Sequence, residues 1–401
     1  MKGMYMIIDM ARVEGFVKHR VLNKPRKLRY LISAAGFPNY GDEFITREWL
    51  RYLAKVEPYS EVWLDCNDST HAAHLFGNIH GNLHFTSTAW NVRRIAYERS
   101  SSFEEGLELV RSYLENLGTP REDLGIYKLL AADSIHLLGG GYINETWPLN
   151  LYLADIARFA KERHGITVYC TGLGVAPCSE SWLQVLNEAL SCFDHVSVRD
   201  VESARMLGIE CGVDDAFLAF GDTDTSWQRI MDGARAFVCL QQDVSGRHPE
   251  AVDLAVKALR KSCVAEDEPL VLVEAIPPED GWPLDLFRER WRGAVRLMPF
   301  SELWLQGFPV ADNAVWVTSR FHMHLLGAAS GAIGCYLDLG SSYYDVKHGS
   351  LTKLGTGWTK LSLGDEAGSI HAAAHNPSFA EAARVFAKQK LAEVAPLYGD
   401  V

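Results

Sequence analysis

The sequence has no two cysteines at C-x-x-C spacing and no His and Cys grouping with the spacing of a zinc site, although it contains eight cysteines. Their scatter excludes a thiol redox motif and a cysteine-built zinc module. Several lie in apolar runs such as Phe237-Val238-Cys239-Leu240, where a thiol serves as a small hydrophobe. Reduced cysteines in a cytoplasmic protein are the expectation. Long apolar runs are missing as well. Residues 1–16 hold one short hydrophobic stretch broken by Asp9, too little for a signal peptide, and no later run reaches the length a membrane span needs. A soluble chain is expected. Positive charge is scarce: 39 Lys and Arg against 51 Asp and Glu leave a formal charge of -12. Nonspecific nucleic-acid binding, which is driven by cations replacing counterions on phosphates, is therefore disfavoured. A local pocket of a few converging Arg and Lys side chains remains compatible with that balance.

What is present is a chain of 401 residues, 48% hydrophobic and 22% charged. This length exceeds what one hydrophobic core usually supports, so two domains are expected. Short β-type runs alternate with longer helical patterns, the grammar of parallel sheets with crossover helices. Strands are expected at 28–35, 61–64, 133–138, 166–170 and 195–198, with helices over about 44–55 and 150–163. The pattern restarts with strands at 236–240, 270–273, 314–317 and 332–336. The polar run 220–226 reads as a linker. The reading is thus α/β, with two doubly wound Rossmann-like domains: a lead-in over 1–27, a first domain over 28–220 and a second over 221–375. An amphipathic C-terminal helix within 376–401 either caps the second domain or packs back on the first. Lys18, Arg20, Lys24, Arg26 and Lys27 make the lead-in basic, so it is either a solvated segment or a contact for an anionic membrane face.

In such sheets ligands sit beyond the carboxyl ends of the strands. Three glycine loops are expected there. Gly36-Phe37-Pro38-Asn39-Tyr40-Gly41-Asp42-Glu43 opens a helix, where backbone N–H groups hold an anion or where Asp42 and Glu43 simply complement the dipole. Gly139-Gly140-Gly141 and Gly172-Leu173-Gly174 end two further strands, serving a shared cleft floor or tight turns. Arg199 stands at another strand end, offering a planar fork to a carboxylate or phosphate unless Asp200 or Glu202 occupies it. Ser319-Arg320-Phe321-His322 follows the 314–317 strand and enters a helix, which brings charge attraction and proton transfer to one junction. His324 lies further along the helix and reads as structural; the pair with His322 lacks the acidic or thiol neighbours of a metal site. Lys347 follows the next strand and can reach the same edge.

This ordered series resembles the polysaccharide pyruvyl transferase family. The resemblance runs from about Gly36 to Leu354 and adds Asp215-Ala216-Phe217 and Tyr344-Asp345-Val346-Lys347 to the motifs above. It departs at Phe321, where a leucine is more usual, and regions 81–125 and 282–304 have no clear counterpart. The resemblance implies a fold similar to GT-B glycosyltransferases and transfer from phosphoenolpyruvate to a sugar acceptor, forming a pyruvate ketal, with no metal and no separate cofactor. It implies His322, Arg320, Lys347 and Arg199 as the catalytic set. Asn39, Gly41, Asp42, Glu43, Gly139, Gly140, Gly141, Gly172, Gly174 and Ser319 are expected to bind substrate. A nucleotide-sugar glycosyltransferase and a non-catalytic carbohydrate-binding protein are the alternatives on the same fold.

Overall fold

The computed structural model describes residues 25–117, 119–221, 227–229, 233–243, 246–340, 342–365 and 369–398. Most of the basic lead-in and residues 222–226 of the expected linker lie outside them. The first sheet comprises β1 (Leu28–Ile32), β2 (Glu61–Asp65), β3 (Leu83–Thr86), β4 (Ser134–Leu137), β5 (Thr167–Leu173) and β6 (His195–Val198). Its order is β3-β2-β1-β4-β5-β6, parallel throughout. After β7 (Trp227–Arg229) come β8 (Ala236–Cys239), β9 (Leu270–Val273), β10 (Val295–Met298), β11 (Phe308–Val310), β12 (Val315–Thr318), β13 (Ile333–Asp338) and β14 (Thr359–Ser362). The second sheet repeats the scheme as β10-β9-β8-β12-β13-β14, again parallel, while β7 and β11 pair separately.

The central strands β1 and β4 are buried along their whole length, and inner strands such as Leu270-Val271-Leu272-Val273 are apolar throughout, because helices cover both faces. The periodicity leaves β7 and β11 of the small sheet unread, and also β3, β10 and β14, which are edges of the large sheets with polar or charged residues, as in Thr359-Lys360-Leu361-Ser362. Edge strands carry such residues without cost, since one side faces solvent. In each sheet the order reverses between two central strands, β1 and β4 or β8 and β12, which opens a crevice at their carboxyl ends. The molecule is therefore two Rossmann-like domains, and no helix among the described residues is long and apolar enough to cross a membrane.

The helices that reach the cleft or tie the halves together are α1 (Tyr40–Val56), α2 (Thr88–Arg99), α3 (Val201–Leu207), α4 (Phe321–Ala329), α5 (Ser342–Lys353) and α6 (Phe379–Val394). The tryptophans of 282–304 are structural. Trp282 and Trp291 donate to backbone carbonyls of Leu240 and Glu268, and Trp304 packs across the domain boundary against Tyr40 and Phe76. Tyr40 N–H also donates to Ala275 O of the second domain at 3.0 Å.

α6 lies against the first domain through one buried charge cluster. Lys390, with no solvent exposure, sits 3.0 Å from Asp215 and 2.9 Å from Glu393. Burial alone would lower its pKa, but the two carboxylates outweigh that and raise it, so the ammonium stays charged. Glu393 also accepts from Ser197 at 2.6 Å and faces His195 at 3.2 Å, both on β6. Burial pushes its carboxyl up, yet His195, Lys390 and Ser197 together hold it down at about 2.

Replacing Lys390 with Met strands Asp215 and Glu393 in a buried setting. Urea unfolding is expected to show a loss of about 3–5 kcal/mol, the usual cost of removing one partner from a buried pair. Glu393 gives a pH signature. Its folded pKa lies below the unfolded value of about 4.3, so its contribution is complete above that value and lost as pH falls toward about 2. Stability followed from pH 5 to pH 2 should fall less steeply in Glu393→Gln than in the parent; equal slopes would contradict the assignment.

Candidate active site

Both crevices open onto one cavity of about 400 Å³ between the domains. Its lining comes from strand ends. Ala34 and Phe37 follow β1, Asn67 follows β2, Gly141 and Tyr142 follow β4, and Arg199 follows β6. From the other side come Asp243 after β8, Ala275 and Ile276 after β9, and Arg320, Phe321 and His322 after β12, joined by Lys347 of α5. Arg199, Arg320, His322 and Lys347 are therefore brought together from both domains.

Arg320 is the N-cap of α4, so His322 lies in its first turn. The ring stands across from the first turn of α1. A Cβ at Gly41 would overlap Nδ1 of His322, so glycine there is what lets the ring seat. On its other side Nε2 lies 3.6 Å from Asp214 Oδ1, an electrostatic contact longer than a hydrogen bond. Asp214 Oδ2 accepts from Arg199 at 2.8 Å, and the Arg199 guanidinium stacks on Phe321 at 4.4 Å. Burial would raise the Asp214 carboxyl, but His322 and Arg199 outweigh it and hold it well below the usual carboxylate range. Asp214 thus stays ionised and links a cation of the first domain to the histidine of the second.

The arginine forks are not open. Arg199 pairs with Asp214 rather than with Asp200 or Glu202; Asp200 instead caps α3 by accepting from Ser203 N at 2.8 Å. Arg320 grips the buried Asp280 through Nε and a terminal nitrogen, at 3.1 and 2.5 Å, and reaches Asp243 at 3.0 Å with the other. Asp243 is the more exposed of these carboxylates and the one an incoming anion can displace. Asp42 lines the cavity with its carboxyl raised by burial, against the pull of His322, Lys347 and Arg199. Burial and Arg199 push the Lys347 amine well below its ordinary value, against Asp42, Asp200 and Asp243. A dianion bound here would restore its proton.

The residues of the glycine loops divide between lining the cavity and making room for side chains behind it. Gly36 N donates to Glu43, Gly41 N to Asn39, and Glu43 N to the Asn39 carbonyl, so these donors are spent within the loop and form no anion nest. Glu43 is buried beneath the cavity, its carboxyl raised well above the ordinary range by burial, and does not line it. Gly139 and Gly172 leave room for Asp215, which a Cβ would approach at 2.6 and 2.5 Å, and Gly174 leaves room for Arg199. Gly140 packs near Tyr142 and Asp42. Of the three loops, Asn39, Gly41, Asp42 and Gly141 line the cavity, whereas Glu43, Gly139, Gly140, Gly172 and Gly174 shape it from behind. Ser319 is also behind the wall, its hydroxyl accepting from Gln241 N at 3.0 Å.

His324 has a defined structural place. Its Nδ1 meets Nδ1 of His348 at 3.0 Å, its Nε2 meets Thr356 Oγ1 at 2.9 Å, and His348 Nε2 meets the Ser319 carbonyl at 3.1 Å. A carbonyl can only accept, so His348 carries its proton on Nε2, accepts on Nδ1 from His324, and His324 accepts from Thr356. Both rings are neutral, pushed down by burial, His348 to about 4. This pair fastens α4 to α5 beside His322 and Lys347. Among the described residues no group of three His, Cys, Asp or Glu side chains is arranged to hold a metal.

Trp90, Arg93, Trp147 and Asn150 complete the cavity and were not anticipated, nor was Asp214. Trp90 and Arg93 fall in region 81–125, where no motif marks them.

The family model for polysaccharide pyruvyl transferases matches residues 39–272, more than half of the chain. A search of the curated proteins gives no significant match. Among solved structures, the chain is similar to UDP-GlcNAc 2-epimerase from Methanocaldococcus jannaschii, at 12% identity and a TM-score of 0.47, over 86% of this chain and 90% of that one. UDP-GlcNAc 2-epimerase from Neisseria meningitidis gives 11% and 0.48, over 91% and 94%. UDP-glucose:anthocyanidin 3-O-glucosyltransferase gives 13% and 0.48, over 94% and 96%. The two-domain architecture stands on the strand orders themselves.

The seat of His322 is testable without a substrate. Gly41→Ala should fold normally, since alanine suits a helix, but displace the ring. The imidazole resonances of His322 are expected to shift while far-UV circular dichroism stays unchanged; unshifted resonances would contradict the packing.

Proposed function

Because the chain belongs to the polysaccharide pyruvyl transferase family, we propose that it transfers the enolpyruvyl group of phosphoenolpyruvate to a sugar and closes it into a pyruvate ketal. The observation that carries this reading is the convergence of Arg199, Arg320, His322 and Lys347 on one cavity at the carboxyl ends of both sheets. Such a cluster suits a small polyanion whose phosphate must leave.

In the proposed reaction His322 gives its proton to the methylene carbon of phosphoenolpyruvate, which becomes a methyl group while positive charge develops on the adjacent carbon. Asp214 stabilises the imidazolium before transfer. A sugar hydroxyl attacks the cationic carbon and loses its proton to Asp42, whose raised carboxyl suits a base that must also release it. The carbon–oxygen bond to phosphate then breaks, with Lys347 and Arg320 neutralising the leaving group. A second hydroxyl of the same sugar closes the ketal. The two hydroxyl protons balance the one placed on carbon and the one that departs with phosphate. This scheme uses side chains alone; phosphoenolpyruvate is a co-substrate, and no metal or other cofactor enters it. A cytoplasmic setting with a lipid-linked acceptor, approached through the basic lead-in, fits the same reading.

His322→Ala should lower phosphate release from phosphoenolpyruvate, measured against a panel of sugar acceptors, by about 10²- to 10⁴-fold. Near-normal turnover would remove His322 from the mechanism. Thermal stabilisation by nucleotide sugars but not by phosphoenolpyruvate would favour a glycosyltransferase instead.

A further inference from the structure

The cations of the cavity differ in one respect. Arg199 and Arg320 each hold a carboxylate, and Lys347 feels Asp42, Asp200 and Asp243. Among the described residues Arg93 has none. Its one hydrogen-bond partner among them is neutral, the Asn150 side-chain oxygen, and its guanidinium lies over the Trp90 ring, 4.7 Å from the centroid. Nε of Arg93 is buried and makes no hydrogen bond to any described residue, and Nε1 of Trp90 is in the same condition. Burial, followed by the like charge of Arg94, lowers the pKa of Arg93, with no acid acting in the other direction.

A half-buried arginine without a carboxylate is costly, because its desolvation is not offset. It is rational where a ligand supplies the missing charge. Arg93 and Trp90 line the first-domain wall of the cavity, on α2, whereas His322 and Arg320 belong to the second domain. Trp147, partly exposed, and Phe37, well exposed, add aromatic surface around the same cavity. Aromatic faces beside polar forks are suited to a sugar ring that carries a charged substituent.

We propose that Arg93, braced by Asn150 and Trp90, is a second anion subsite, and that the sugar acceptor carries an oxyanion group, a phosphate ester or a carboxylate, which binds there. The inference rests on the pyruvyl transfer reading, since it assigns this wall to the acceptor. It also accounts for region 81–125: the helix it contributes carries the residues that select the acceptor.

The test uses glucose 1-phosphate, glucuronate and methyl glucoside as probes of the full chain, by titration calorimetry with phosphoenolpyruvate at saturation. Phosphoenolpyruvate binding is measured first and separately. The parent protein is expected to bind at least one anionic probe about tenfold or more tightly than the neutral glucoside, a difference of about 1.4 kcal/mol. Arg93→Gln, which keeps a donor for Asn150, should remove that preference while phosphoenolpyruvate still binds, and Arg93→Lys should retain part of it. Preference for glucose 1-phosphate identifies phosphate as the group, and preference for glucuronate identifies carboxylate. No charge preference in the parent, including no binding of any probe at millimolar concentration, overturns the proposal, as does a preference that survives in Arg93→Gln. If phosphoenolpyruvate itself fails to bind the parent, the donor reading falls, and the same probes titrated without it still decide the Arg93 subsite.

Discussion

Two consecutive buried aspartates, Asp214 and Asp215, hold the active cleft and the domain architecture together. The buried carboxylate of Asp214 lies behind the cleft wall, between Arg199 and His322. The next residue points into the core, where Asp215 accepts from Trp49 of α1 at 2.7 Å, from the Gly139 backbone at 2.9 Å and from Thr171 of β5 at 2.6 Å, and pairs with Lys390 of α6. One short 3₁₀ segment, Asp215–Phe220, therefore fixes the C-terminal helix, the first sheet and, one residue upstream, the orientation of a cleft histidine from the second domain. Gly139 and Gly172 are dictated by this arrangement, since side chains there would occupy the space of Asp215.

The electrostatics of the cleft follow from the same economy. Arg199, Arg320, His322 and Lys347 would repel one another in their charged forms if each were unpaired, and here Asp214, Asp280 and Asp243 offset Arg199 and Arg320 while Asp42 faces His322 and Lys347. Asp214 and Asp280 are buried and act as fixed counter-charges. Asp243 is partly exposed and Lys347 is biased toward losing its proton, so these two are the adjustable members. A dianion entering the cavity would compete with Asp243 for Arg320 and favour the charged form of Lys347.

The doubly wound architecture was legible in the sequence because parallel strands covered on both faces are written as unbroken apolar runs, as in Leu270-Val271-Leu272-Val273. Polar edge strands such as Thr359-Lys360-Leu361-Ser362 lacked that mark. In the site, motifs at strand ends pointed to Arg199, Arg320, His322 and Lys347, which share one cavity. The glycines were legible as close approaches, but a sequence does not say whether a backbone approaches a ligand or a neighbouring side chain; Gly41 and Gly174 make room for His322 and Arg199. Asp214 was hidden because its partners come from 15 residues upstream and from the other domain. Arg93 was hidden for a simpler reason: an arginine inside an amphipathic helix reads as solvated until its missing counter-charge is seen.

Pyruvyl transfer as proposed requires that this cleft bind phosphoenolpyruvate. Titration calorimetry of phosphoenolpyruvate onto the full chain tests it most directly. The account predicts saturable binding of one molecule per chain, weakened when Lys347 is replaced by Met; no binding at millimolar concentration would contradict it.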